Sequence, residues 1–295
     1  MRGLGGVLTV ASLVVASGCG RGPFWEFPVP LEQRERCSSV DFLFVIDNSE
    51  SMELHQQNLR ASFDPFIEGI RYSLGDVDDF HVGIVTSDAY RDNASSCRAL
   101  GALVTSVDGP GANRIECGPF EEGHRYMTEK DDLVATFNCT AAVGTRGNRE
   151  ERPMDAMTNA IQSGSGDDWY EECNGGFIRD DGLLVSVIIT DEADGEFVPG
   201  TEPLSQPDDW FAAVEQVKGT EQNAVIVSLI NGVTDSCPVT NPAFDGTKIA
   251  EFTDRFTHGF VGGVCEPDYG RIFNQAVDEI DQACTDYVVQ TERAR

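Results

Sequence analysis

In the stretch VDFLFVIDNSESM an apolar run stops on Asp47, and Ser49 and Ser51 follow at alternate positions. One carboxylate and two hydroxyls on a turn that leaves a strand for a helix can converge on a single point. Their oxygens are hard ligands, suited to magnesium, manganese or calcium and poorly matched to zinc. Three short oxygens do not complete a near-octahedral shell, so other segments must contribute. Two candidates stand out: Thr145 in VGTRGNREERPMDAM, and Asp191, on which the run VSVIIT ends. The simpler reading of the serines, that one of them caps the next helix, requires neither Asp47 nor Thr145 nor Asp191.

Other chemistries lack their residues. A phosphatase built on an aspartate at a strand end needs a second aspartate two positions on, where this chain has Ser49. No GxSxG elbow surrounds Ser163 or Ser165, and no phosphate-binding glycine loop occurs. His55, His81, His124 and His258 are scattered without metal-ligand spacing. The acidic run DEADGE, residues 191–196, fails as a calcium loop because Ala193 and Gly195 occupy ligand positions. No acid/base pair or nucleophile can be named, so the chain is expected not to be an enzyme.

The elements that must position these oxygens alternate along the chain. Val40–Ile46 reads as a strand buried on both faces, as does LLVSVIIT at Leu183–Thr190, with further strands at Phe80–Val85 and Ala224–Ile230. Helical spacing of apolar residues marks Met52–Leu74, with Asp64-Pro65 as a kink or restart. Further helices are predicted at about Asp131–Thr140, Pro153–Gln162, Gln206–Lys218, Thr247–Phe256 and Tyr269–Cys284. Residues 88–129 are rich in glycine and lack long periodic runs, which suggests a hairpin or loop insertion. Strands alternating with helices imply a doubly wound, Rossmann-like α/β fold: a mostly parallel sheet with helices on both faces. Sites in such sheets form at the carboxyl ends of strands, where Asp47 and Asp191 both fall.

Charge and cysteines bear on compartment and partners. With 21 Lys+Arg against 50 Asp+Glu the 295-residue chain carries a net charge of −29, which would repel phosphates and argues against nucleic acid as a partner. Residues 1–18 hold one basic residue, Arg2, and an apolar core too short to span a bilayer, the pattern of a secretion signal. Ala16-Ser17-Gly18-Cys19 resembles a bacterial lipobox, which implies lipid attachment at Cys19; Ala16 departs from the usual leucine, and plain cleavage to a soluble product is the alternative. Residues 19–36 then form an anchor and proline-containing linker, 37–290 the folded domain and 291–295 a tail. The membrane is engaged through the lipid alone. The eight cysteines beyond Cys19 suit four disulfides in an oxidising compartment. Nearness along the chain suggests Cys97 with Cys117, Cys139 with Cys173, Cys237 with Cys265, and Cys37 with Cys284 joining the two ends of the domain.

Asp47-x-Ser49-x-Ser51, Thr145 and Asp191, in this order and setting, resemble the metal-ion-dependent adhesion site of the von Willebrand factor A (vWA) domain family over about residues 37–284. The resemblance implies that Ser49 and Ser51 ligate a cation directly, Thr145 directly or through water, and Asp47 and Asp191 mostly through water. One position stays open for a carboxylate from the partner. Magnesium is the first candidate, with calcium or manganese as alternatives. Glu50 and Glu192 stand where the family usually has glycine, and with Asp194 they are metal-adjacent candidates; the simpler alternative for Glu50 and Glu192 is an exposed carboxylate that only points into solvent. The expectation is an outer-membrane or cell-surface lipoprotein, facing outward or into the periplasm, that binds a protein or surface polymer through the cation. The competing expectation is an envelope-assembly component in which the cation only stabilises the fold.

Overall fold

The computed structural model describes residues 37–74, 79–148, 151–162, 168–195, 205–233, 237–238 and 244–294. The secretion signal, Cys19 and the linker lie outside them.

Strand formation follows the apolar runs. β1 (Ser39–Ile46), β2 (Asp79–Thr86), β5 (Leu183–Ile189), β6 (Ala224–Ile230) and β7 (His258–Gly263) form one sheet in the order β2-β1-β5-β6-β7. Every neighbouring pair in it is parallel. β1 is buried at every position, as are β5 and β6, which is why these three carry no polar alternation. The order therefore reverses between β1 and β5, the place where a doubly wound sheet opens a crevice. Register puts Ile46 beside both Thr86 and Ile189, so Asp47 leaves the sheet level with the end of β5.

Alternate side chains of β1 enter separate cores. Phe42, Phe44 and Ile46 meet α1 (Glu53–Leu74), α2 (Leu133–Thr140) and α7 (Gly270–Ala294) through Leu59, Phe63, Phe137 and Phe273, while Leu43 and Val45 meet α3 (Pro153–Ile161), α5 (Pro207–Lys218) and α6 (Thr247–Thr253) through Met154, Trp210 and Phe252. On the first face Phe63 stacks on Phe137 with ring centroids 3.5 Å apart, and Phe44 meets Phe137 edge-on at 4.8 Å. These contacts hold the middle of α1 and α2 against β1.

Several elements differ from the sequence reading. α1 runs unbroken through Pro65, because Phe63 and Phe66 on either side pack into one core and hold the helix together. β7 and α4 (Asp168–Asn174) were not predicted. α7 continues to Ala294, past the predicted end at Cys284. Within residues 88–129 lie two short strands, β3 (Ser106–Val107) and β4 (Ile115–Glu116), paired antiparallel as the expected hairpin, and the returning chain bridges Met127 to Val82 on β2.

Two disulfides pair as expected, Cys37 with Cys284 and Cys237 with Cys265. The other two exchange partners: Cys97 bonds Cys173, and Cys117 bonds Cys139. The hairpin separates Cys97 from Cys117, carrying Cys117 to the end of α2 while Cys97 stays against α4. Among the described residues no helix is long and apolar enough to cross a membrane.

Candidate functional site

Asp47 is wholly buried at the end of β1, and its backbone N–H donates to the Ile189 carbonyl at 3.0 Å. One carboxylate oxygen accepts from the Ser49 backbone N–H and the other from the Thr190 hydroxyl, both at 2.7 Å. The turn that follows brings the Ser49 and Ser51 hydroxyls within 3.2 Å of each other, and Ser51 donates to Asp191 at 3.0 Å. Four of the five predicted ligands are thus linked in series by hydrogen bonds, Asp47 to Ser49 through the Ser49 backbone N–H and Ser49, Ser51 and Asp191 through their side-chain oxygens. Burial, and then the negative charge of Asp191, push the Asp47 carboxyl up to about 6. A cation between the two carboxylates would relieve that repulsion.

Thr145 arrives on a separate loop. Gln56, on α1, donates to the carbonyls of Asp47 (3.1 Å) and Gly144 (2.8 Å) and accepts from the Gly144 N–H (3.2 Å). Gly147 donates to the Asn48 carbonyl at 2.8 Å, and a Cβ there would come within 2.7 Å of that oxygen, so the approach requires glycine. The loop is thereby tied to the turn carrying the serines. The Thr145 hydroxyl donates to the Pro110 carbonyl at 3.3 Å, not to the serine chain, which leaves its lone pairs for another partner.

The metal-adjacent candidates divide. Glu50 is exposed. Glu192 is half-buried and pushed up to about 7, by burial first and then by Asp47 and Asp191, so it belongs to the electrostatics of the site. Asp194 turns away from it: buried, it accepts from the backbone N–H of Met154 at 2.8 Å, in the first turn of α3, which supplies one of the otherwise unpaired donors of that helix end. Burial pushes it up to about 7.

Sequence reasoning missed a second layer behind Asp47. Ser87, at the end of β2, contacts Glu151 and also reaches Asn48 at 3.3 Å. The Ser87 hydroxyl donates to Glu151, whose carboxyl is raised well above the usual carboxylate range by burial and then by the Asp47 charge. Gln56 had a signal, being a polar residue on the same helical stripe as Leu59 and Phe63; Glu151 had none.

The donor set fits a hard cation. It consists of hydroxyls and at most two carboxylates, and among the described residues no three His, Cys, Asp or Glu side chains gather as a metal-binding group. Hydroxyls whose protons go elsewhere, as those of Ser51 and Thr145 do, present lone pairs to an ion.

No family model matches the chain, and no curated protein does. Among solved structures it is similar to proximal thread matrix protein 1 from the mussel byssus, at 10% identity and a TM-score of 0.41, over 83% of this chain and 49% of that one. It is also similar to the pilus adhesin SpaC from Lactobacillus rhamnosus GG in its open conformation, at 10% identity and a TM-score of 0.42, over 86% of this chain and 30% of that one. The chain thus spans half or less of the length of these structures, and the likeness does not extend to function.

Proposed function

We propose that the folded body is a vWA-type domain of an envelope lipoprotein, and that it binds a protein or surface polymer through a divalent cation held by Ser49, Ser51 and Thr145, with Asp47 and Asp191 behind. The observation that carries this reading is the series of hydrogen bonds from Asp47 through Ser49 and Ser51 to Asp191, lying at the reversal of strand order. When bound, the cation supplies positive charge that neutral hydroxyls leave largely uncancelled, which attracts a carboxylate from a partner. Ser49 and Ser51 orient the ligand oxygens, Gln56 holds the Thr145 loop against them, and Thr190 fixes the rotation of the Asp47 carboxylate. Magnesium is the first choice of ion, with calcium or manganese as alternatives. Secretion, lipid attachment at Cys19 and an outer-membrane or cell-surface location complete the proposal; no catalytic step is assigned.

A second reading has one observation in its favour. Asp47 is wholly buried and bonded to β5's end through Thr190, so a cation there could serve the fold alone. Manganese distinguishes the two readings, because its effect on water proton relaxation reports how many exchangeable waters it keeps. Added acetate, as a minimal carboxylate, should lower that relaxation enhancement if a position is open to a partner. An enhancement that acetate leaves unchanged over the millimolar range would count against adhesion and for the structural reading.

A further inference from the structure

Asp191 is held by more than its own strand. Its backbone carbonyl accepts from the side-chain amide of Asn231 at 2.6 Å. Asn231 directly follows β6, the strand paired with β5, so this bond ties the exits of two adjacent strands. The other end of the same amide rests on a disulfide: its oxygen lies 2.7 Å from the sulfur of Cys237 and 3.3 Å from that of Cys265. Bonded sulfurs carry no hydrogen and cannot donate to that oxygen, so the direction of the amide is set by the Asp191 carbonyl, which accepts from its N–H. The disulfide is anchored in turn, since Gly232 donates to the Cys237 carbonyl at 2.8 Å and Val264 donates to the Ile230 carbonyl at 3.1 Å.

From these contacts we infer that Asn231 is a positioning residue for Asp191, and that the Cys237–Cys265 disulfide is the rigid body against which Asn231 is held. The role requires the orientation seen here. Because the Asp191 carbonyl can only accept, Asn231 must turn its N–H toward Asp191, which leaves its oxygen on the side of the disulfide. Of the four disulfides this one touches the site's supporting shell, and its Cys265 end is exposed while Cys237 is buried. Opening it would free the amide to rotate, and with it the loop carrying Asp191 and Glu192. The consequence for cation affinity rests on the proposed function; the positioning of Asp191 does not. Groups that orient ligands from behind typically change metal affinity by about 10–100-fold when removed.

Two variants of the whole chain, purified in detergent, test this: Asn231→Leu, which keeps the volume and removes the donor, and the pair Cys237→Ser with Cys265→Ser. Hydrogen exchange reads the Asp191 and Glu192 amides directly, and calorimetry with magnesium reads affinity. Both variants should speed exchange at Asp191 and Glu192 about tenfold or more, leave Ile188 and Ile189 in β5 unchanged, and weaken magnesium binding about tenfold or more. Unchanged exchange at Asp191 and Glu192 in Asn231→Leu overturns the inference. Faster exchange in a protein whose parent binds no magnesium supports the positioning and removes the cation reading. Faster exchange throughout β5 and β6 in both variants would show a general structural role and overturn it.

Discussion

Replacing Gln56 by leucine separates the scaffold of the site from its ligands. The side chain is 3% exposed and makes three hydrogen bonds, to the Asp47 carbonyl and to both backbone groups of Gly144. Leucine fills nearly the same space, so no large cavity is added and the change removes polar contacts alone. Three bonds at a net of about 0.5–1.5 kcal/mol each put the loss at about 1.5–4.5 kcal/mol, and the buried apolar side chain offsets part of it, leaving about 1–3 kcal/mol. Urea unfolding should show a lower midpoint with an unchanged slope, since the native fold and its exposed surface on unfolding stay the same. Because the Thr145 loop loses its clamp, magnesium affinity should also fall by about tenfold or more. A stability loss under about 0.5 kcal/mol, the range of an ordinary surface substitution, would refute the claim that Gln56 joins the loop to the strand.

Two further perturbations probe the rest of the fold. Asp41 on β1 is wholly buried and paired with Arg179 at 2.7 Å, so Arg179→Met should cost about 3–5 kcal/mol by stranding a carboxylate, and adding Asp41→Asn should restore much of it; urea titration of the parent and these two variants checks both. Asp194 is raised from its ordinary 3.8 to about 7, so between those values the folded chain keeps a proton that the unfolded chain has lost, and stability falls as pH rises through that window. Asp194→Asn keeps an acceptor for Met154 and has no proton to lose. Its stability advantage over the parent, measured with a chelator present, should therefore grow from about pH 4 to about pH 7, and a constant gap would contradict the assignment.

How far each feature was legible in the sequence depended on whether its cause was local. β1, β5 and β6 announce themselves because strands buried on both faces must be apolar throughout. β7 does not, because HGFVGG holds three glycines and reads as a turn. At Gly262 a Cβ would come within 2.6 Å of the Ile272 side chain, so glycine there admits α7 rather than ending a strand. The exchanged disulfides have the same origin. Cys97 and Cys117 are near in sequence, but a hairpin intervenes, and the α4 segment that carries Cys173 to Cys97 gave no strong helical pattern. Asp47, Ser49, Ser51 and Asp191 were legible since each sits at or just past a strand end, where this fold class concentrates sites. Glu151 and Asn231 are single polar residues whose roles exist only through partners 64 and 40 positions away.

On the proposed function, Asp47, Ser49, Ser51, Thr145 and Asp191 hold a divalent cation. Calorimetric titration of magnesium, and separately calcium, into the parent chain and into Asp47→Ala tests it most directly, with circular dichroism as the check on folding. The parent should bind saturably at one site per chain, and the variant should lose that binding with an unchanged spectrum. A parent that binds neither ion, or an Asp47→Ala variant that binds as the parent does, would contradict it.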